Sequence, residues 1–198
     1  LGIVTKEGLK AIKGFPAINP VPLAMMKQAA EEVILKANNF PDKYHIIFEI
    51  TDGEKIAQDT ANPKVGVLGG LSILGKKGIV KPISSEAYIE SLKTEIDVAA
   101  HNSSRTIIMT IGNSSLEYAH KHFTLEQECY IEIGNFVFDS LSFLKGNSIS
   151  TLILILNTGK LTKIAQGFKN THNRFGDINF KTIQKWLKES DFPKKTIL

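Results

Sequence analysis

The sequence has little of what marks secreted, membrane or nucleic-acid-binding proteins. It contains one cysteine, Cys129, so no intrachain disulfide can form, and this usage is typical of a reducing compartment. No apolar run approaches the roughly 18–20 residues of a transmembrane helix, and no secretory signal peptide is recognisable. The 24 basic and 20 acidic residues give a net charge of only +4, without a dense basic tract. We therefore expect a cytoplasmic protein that binds neither membranes nor nucleic acid.

Motifs of several catalytic classes are also missing. The run from Gly70 to Lys77 resembles a phosphate-binding loop, but Lys77 stands where a serine or threonine would hold Mg²⁺. No Gly-x-Gly-x-x-Gly follows a predicted strand, which argues against a dinucleotide dehydrogenase. His120 and His122 are two apart on a predicted helix, and no carboxylate or thiolate has ligand spacing to them. We expect no metal site and no serine-hydrolase triad.

The apolar pattern predicts an α/β fold with a mostly parallel, doubly wound sheet. The 198 residues suffice for one large domain or one domain and a fragment. We predict two parts, a smaller α+β unit at 1–61 and an α/β domain at 62–198 that binds cofactor and substrate. Strands are predicted at 3–5, 44–50, 65–68, 106–111, 129–133 and 151–156, and helices at 22–37, 85–100, 115–123, 136–145, 161–168 and 178–189.

A turn rich in glycine or asparagine follows each of the last four predicted strands. The turns are Gly69-Gly70, Gly112-Asn113, Gly134-Asn135 and Asn157-Thr158-Gly159. In a parallel sheet all four would lie at the carboxyl edge, where open α/β folds bind ligands. Tight entry into the following helices is the alternative explanation. We favour a binding crevice, and the basic residues near these turns indicate an acidic small molecule.

The chain resembles the cobalt-precorrin-5B C1-methyltransferase (CbiD) family. The matching segments, in order along nearly the whole chain, are Gly2-Ile3-Val4-Thr5-Lys6, Pro16-Ala17-Ile18-Asn19-Pro20-Val21-Pro22, Asn62-Pro63 through Pro82-Ile83-Ser84, Gly112-Asn113, Asn135-Phe136, Gly159-Lys160-Leu161-Thr162-Lys163 and Asn170-Thr171-His172. The resemblance implies S-adenosyl-L-methionine-dependent methylation of C1 of a cobalt-corrinoid precursor in cobalamin biosynthesis, giving cobalt-precorrin-6A.

The resemblance also suggests roles for particular residues. Cofactor contacts are expected from Gly69, Gly70, Ser72, Gly75, Gly112, Asn113 and Asn135. Contacts to the anionic corrinoid are expected from Lys76, Lys77, Lys160, Lys163, Asn170, Thr171 and Arg174. His172 is the candidate catalytic base, and cobalt would arrive inside the substrate.

Family members are longer, with an N-terminal region that this chain lacks, so we expect a fragment that is inactive alone if that region lines the active site. Two alternatives stay open: a non-catalytic ligand-binding fragment of such an enzyme, and an unrelated phosphate- or nucleotide-binding α/β protein. Assembly into a homo-oligomer is compatible with the sequence, which does not determine it.

Overall fold

The computed structural model describes residues 1–36, 43, 45–75, 84–102 and 105–190. The chain forms two compact units. The first comprises Leu1–Arg105 and Gln127–Cys129, and the second comprises Thr106–Glu126 and Tyr130–Leu198. The apolar pattern predicts a boundary after residue 61, whereas the first compact unit continues to Arg105.

The first unit contains a small antiparallel ribbon. Strand β1 (Ile3–Val4) pairs with strand β2 (Val67–Leu68), with Val4 opposite Val67. Both valines are buried, in a cluster with Ala11, Ala17, Val65 and Val98. The prediction that 65–68 is a strand of the parallel sheet was therefore wrong. An apolar run of this length fits either sheet, and its packing against Val4 selects the ribbon.

The described part of the first unit also contains the helices α1 (Pro20–Lys36), α2 (Gly53–Ala57) and α3 (Ser85–Asn102). Helix α1 starts with proline, which is favoured at the first helical position because its fixed φ suits the helix and no N–H is needed there. Helix α3 buries Leu92 and Ile96, as the periodicity predicted. The predicted strand at 44–50 was wrong, since residues 45–50 form no strand.

The second unit contains the predicted parallel sheet, with three strands. Strand β3 (Thr106–Thr110) is central, between β4 (Tyr130–Glu132) and β5 (Thr151–Ile155). Ile108 is in register with Tyr130 on one side and with Ile153 on the other. The chain thus moves from β3 to one neighbour and then crosses to the opposite side. Right-handed crossovers therefore put the two connections on opposite faces, which is a doubly wound arrangement.

Four helices follow these strands: α4 (Asn113–His122), α5 (Val137–Ser142), α6 (Thr158–Ala165) and α7 (Phe180–Glu189). Ala119 of α4 packs with Ile108 and Tyr130, so α4 covers the sheet face that carries them. Ile107 and Met109 alternate with Ile108 and are also fully buried. Because successive strand residues point to opposite faces, both faces of the central strand are covered. Among the described helices, none is long and apolar enough to cross a membrane.

Candidate functional site at the carboxyl edge of the parallel sheet

Three of the four predicted turns lie at one edge of the parallel sheet. Gly112-Asn113 follows β3, Gly134-Asn135 follows β4, and Asn157-Thr158-Gly159 follows β5. The fourth, Gly69-Gly70, follows β2 of the antiparallel ribbon. The prediction that it shares this edge was therefore wrong. The strand order reverses at β3, and in such sheets the crevice beside the reversal is where ligands bind.

Gly112 gives this edge an open backbone. Its φ is 85°, and no heavy atom lies within 4 Å of the position that a Cβ would occupy. Helix α4 begins directly after it without a side-chain cap. The first backbone N–H groups of a helix have no partner within the helix, and they carry partial positive charge. A polar or anionic ligand group can therefore approach Gly112 and Asn113 closely.

The glycines of the first unit differ from Gly112 and from one another. A Cβ on Gly70 would lie 2.7 Å from the carbonyl carbon of Leu1 and 2.8 Å from the nitrogen of Gly2. Packing against the ribbon therefore explains this glycine without a ligand. Gly69 has a φ of 76° and open space around its Cα, and Gly75 is exposed.

Ser72 belongs to a small polar network of the first unit. Its hydroxyl donates to Asn62 Oδ1 at 3.2 Å, and the amide nitrogen of Asn62 donates to the carbonyl of Gly70 at 3.3 Å. Both side chains also line a cavity of about 120 Å³. Lys76 and Lys77 lie outside the described residues, so the structure assigns them no contacts.

Lys160 crosses the carboxyl edge of the parallel sheet. It lies in the first turn of α6, after β5, and its Nζ donates to Asn135 Oδ1 at 2.8 Å, in the turn after β4. Nζ also donates to the carbonyl of Thr171 at 3.0 Å. Lys160 therefore links the turn after β4, the start of α6 after β5, and the loop after α6.

Thr171 completes this cluster. Its side chain is fully buried, and its hydroxyl donates to Asn135 Oδ1 at 2.9 Å. Its backbone N–H donates to the carbonyl of Asn135 at 3.2 Å. The predicted residues Asn135, Lys160 and Thr171 therefore meet. Two hydrogen bonds hold the Lys160 ammonium, and two more between Thr171 and Asn135 fix its acceptors.

Lys163 is one turn further along α6 and is almost completely buried, at 5% exposure. Its Nζ donates to Asn173 Oδ1 at 2.9 Å and to the carbonyl of Gly176 at 2.8 Å. Gly176 has a φ of 129°, which residues with a side chain rarely adopt, and a Cβ there would approach the Phe168 ring to 2.8 Å, so glycine is favoured. Lys163 thus holds the loop after α6 through Asn173, which is not among the predicted site residues.

The two lysines carry charge without an acidic partner. Within the described part of the chain, no carboxylate forms an ion pair with Lys160 or Lys163. Burial and the nearby charge of Lys163 lower the pKa of Lys160 below its usual value of 10.5. The site is therefore electropositive and lacks a negative charge to balance it.

The remaining predicted residues lie on the loop after α6. His172 is exposed, and its Nδ1 accepts a hydrogen bond from the backbone N–H of Arg174 at 3.2 Å, which caps a 3₁₀ turn. Asn170 accepts from the backbone N–H of His172 at 2.9 Å. The guanidinium of Arg174 is exposed and lies 4.7 Å from the centre of the Phe175 ring. These contacts order the loop beside Thr171.

No protein-bound metal site is visible where the chain is described, since no three histidine, cysteine or carboxylate residues form a suitable group.

Comparison with known proteins gives one consistent family. Residues 1–82 match the family model described as CbiD. The chain is 37% identical over 177 residues to the cobalt-precorrin-5B C(1)-methyltransferase of Ruminiclostridium cellulolyticum, covering 89% of this chain and 46% of the relative. The enzyme of the same name from Methanocaldococcus jannaschii is 39% identical over 177 residues, covering 89% of this chain and 48% of the relative. That from Picrophilus torridus is 38% identical over 185 residues, covering 93% and 54%.

The chain spans about half the length of the curated relatives that it matches. Among solved structures, it matches the cobalamin biosynthesis protein cbiD from Archaeoglobus fulgidus, with 22% identity and a TM-score of 0.30. That match covers 96% of this chain and 58% of the other.

Proposed function

We propose that this chain, which belongs to the CbiD family, takes part in methyl transfer from S-adenosyl-L-methionine to C1 of cobalt-precorrin-5B, the step of cobalamin biosynthesis that gives cobalt-precorrin-6A. One observation carries the proposal: identities of 36–39% extend over about nine-tenths of the chain to proteins with that methyltransferase name. The electropositive edge of the parallel sheet supports it, because a corrinoid precursor carries many carboxylates.

Methyl transfer depends mainly on holding the donor and the acceptor carbon in line, and such positioning can supply much of the rate. S-adenosyl-L-methionine supplies a methyl group activated by a sulfonium. In the second unit, we propose that Gly112, Asn113 and Asn135 contact this donor. Gly112 fits the role because its backbone is open and uncapped N–H groups follow it. The expected donor contacts of Gly69, Gly70, Ser72 and Gly75 stay predictions made from the sequence.

The substrate would be held by Lys76, Lys77, Lys160, Asn170 and Arg174. The other two predicted residues, the buried Lys163 and Thr171, would act by ordering this site. Arg174 is exposed, so its guanidinium can form a bidentate contact with a carboxylate. The role of His172 as a base stays a prediction. Its Nδ1 already accepts the N–H of Arg174, so accepting a proton there would break the cap.

Calorimetric titration of the full chain with S-adenosylhomocysteine and with ATP tests the proposal. We expect S-adenosylhomocysteine to bind and ATP to give no response, and the reverse result would contradict methyl-donor use and favour a nucleotide-binding protein.

Gly112→Ala should weaken the S-adenosylhomocysteine complex, because the new methyl group blocks the open backbone. Gly146→Ala is the matched control. Its φ is 83°, its Cα is equally open, and it lies on the loop before β5, at the other end of the strands.

A turnover assay with the corrinoid substrate separates an enzyme from a binding fragment. Formation of S-adenosylhomocysteine by the chain alone would establish catalysis. Binding without turnover would favour the ligand-binding alternative, which the chain's coverage of about half of its relatives supports.

A further inference from the structure

We propose that Lys160 binds one carboxylate of the ligand through its remaining N–H, while the buried Lys163 supports this contact from behind by its charge and by ordering the loop. The inference depends on the proposed function in one respect only, the identity of the molecule that carries the carboxylate. The contact itself follows from the chain's own geometry.

One N–H of the Lys160 ammonium has no acceptor among the described residues. An ammonium has three N–H donors, and Asn135 Oδ1 and the carbonyl of Thr171 accept two of them. These two acceptors are themselves fixed, because Thr171 donates from both its hydroxyl and its backbone N–H to Asn135. The third N–H therefore points to a defined position. Lys160 is partly exposed, so that position can be reached from solvent.

Lys163 cannot play the same part. It is 5% exposed and two of its donors are bound to Asn173 and Gly176, so a ligand does not reach it. Its charge still acts on Lys160, because a buried charge is screened less by solvent than an exposed one. Lys163 is thus a positioning residue, and Lys160 is the one that contacts the ligand.

The positive charges of Lys160 and Lys163 favour an anion over a neutral group as the ligand at this position. Two unpaired cations close together in partly buried surroundings repel each other. A carboxylate oxygen at the open position relieves that repulsion and satisfies the third N–H with a charge-assisted hydrogen bond. A neutral acceptor would satisfy the hydrogen bond but leave the repulsion.

This arrangement links anion binding to proton uptake. The ammonium of Lys160 on α6 has its partners in the turn after β4 and in the loop after α6. The titratable or charged residues at the end of β4, in the second turn of α6 and in that loop are Glu132, Lys163, Lys169, His172, Arg174 and Asp177. Of these, Lys163 is the one whose charge lowers the pKa of Lys160, in addition to burial. A bound carboxylate favours the charged amine and raises that pKa again. At alkaline pH approaching 10.5, binding should therefore take up protons.

The experiment is calorimetric titration of the full chain with uroporphyrin III, an octacarboxylate macrocycle, and with propane-1,2,3-tricarboxylate. Titrations at neutral and alkaline pH, in buffers of different ionisation enthalpy, report proton uptake. Wild-type protein should bind both probes and take up protons at the alkaline pH. Lys160→Gln should bind about tenfold more weakly, the loss expected for one hydrogen bond between charged groups. Lys121→Gln removes an exposed lysine of α4 and should bind as the wild type does.

Lys160→Arg keeps a positive charge at this position but removes the group that can lose its proton at alkaline pH. Arginine does not lose its proton in this range, so the variant should keep affinity for the probes but lose the proton uptake. Circular dichroism and thermal unfolding of each variant show whether it is folded. Absence of binding of both probes by the wild type would overturn the inference, as would unchanged affinity in a folded Lys160→Gln variant or binding without proton uptake. Inorganic phosphate competing as well as the tricarboxylate would show a general oxyanion site and overturn the carboxylate assignment.

Titration of the same protein with S-adenosylhomocysteine tests the proposed function independently of carboxylate binding. Carboxylate binding through Lys160 without S-adenosylhomocysteine binding would support the inference and contradict methyl-donor use. The opposite pattern would support methyl-donor use and contradict the role of Lys160.

Discussion

The ammonium of Lys6 donates a 2.8 Å hydrogen bond to Glu128 Oε2, although 122 positions separate the two residues. Glu128 is 6% exposed and belongs to the 3₁₀ segment Gln127–Cys129 of the first unit. Burial by itself raises the pKa of this carboxyl. The hydrogen bond and charge of Lys6, together with a backbone hydrogen bond, lower it overall below the usual 4.5. The pair joins the residues after β1 to a segment that is distant in sequence.

Lys6→Met should lower the free energy of unfolding by about 2 kcal/mol at pH 7, because it leaves a buried carboxylate without its cation. A lowered pKa in the folded state stabilises the protein fully above the unfolded-state pKa, and this contribution disappears as the pH falls through the folded-state pKa. The difference between variant and wild type should therefore shrink below about pH 4. Urea unfolding at pH 7 and pH 3 measures it.

Lys13→Met is the matched control. Lys13 and Glu7 form an exposed pair at 3.6 Å, so its loss should change stability little at either pH. An equal loss in the Lys6 variant at both pH values would contradict the role given to Glu128.

Thr110→Val should stabilise the protein by about 1 kcal/mol. The hydroxyl of Thr110 is buried at the end of β3 and has no hydrogen-bond partner among the described residues. Valine has nearly the same shape and removes an unsatisfied polar group from the interior. Ser140→Ala is the comparison, because the equally buried Ser140 donates to the carbonyl of Phe136 at 2.8 Å. It should lose about 1 kcal/mol. Thermal unfolding midpoints that move in the same direction for both variants would be inconsistent with this expectation.

Gly70→Ala and Gly69→Ala should differ in cost although the residues are adjacent. In the Gly70 variant the new methyl group would meet the backbone of Leu1 and Gly2, which can move away only by distorting the ribbon. We expect a loss of about 3 kcal/mol. At Gly69 the space is open and only the φ of 76° opposes alanine, so the loss should be about 1 kcal/mol. Chemical denaturation of both variants measures the difference, and equal losses would show that the close contact is absent in solution.

Thr171→Val should remove about 1–2 kcal/mol of stability, because the substitution keeps the shape but deletes the hydrogen bond from the hydroxyl to Asn135. Its effect on uroporphyrin III binding should be smaller than that of Lys160→Gln, since Lys160 keeps both of its acceptors. Thr162→Val removes an exposed hydroxyl that bonds within α6, and it should leave binding unchanged. Stronger binding by the Thr171 variant would contradict the view that this cluster orders Lys160.

The elements of the second unit could be predicted from the sequence because they depend on local patterns. Apolar runs bounded by glycine or asparagine indicated β3, β4 and β5, and in the first unit helical spacing indicated the face of α3 that buries Leu92 and Ile96. The partner of β2 could not be predicted in this way. Its choice depends on the contact between Val4 and Val67, which lie 63 positions apart in the printed sequence.

The sequence indicated individual residues of the candidate site but not their arrangement in space. Asn135, Lys160 and Thr171 were each singled out, and the structure brings them into one hydrogen-bonded cluster. The sequence could not distinguish the partly exposed Lys160 from the buried Lys163, because both follow the same turn on one helix. Burial depends on the loop with Asn173 and Gly176, which folds back onto α6.

The bonds of Thr171 to Asn135 have a consequence for how quickly this edge of the sheet moves. Loops usually open at little cost and exchange their amide hydrogens rapidly. The amide of Thr171 is instead bonded to the carbonyl of Asn135, and its side chain is fully buried. This loop amide should therefore exchange as slowly as the core of the sheet. A ligand would meet a receptor that is already rigid and would lose little conformational entropy when it binds.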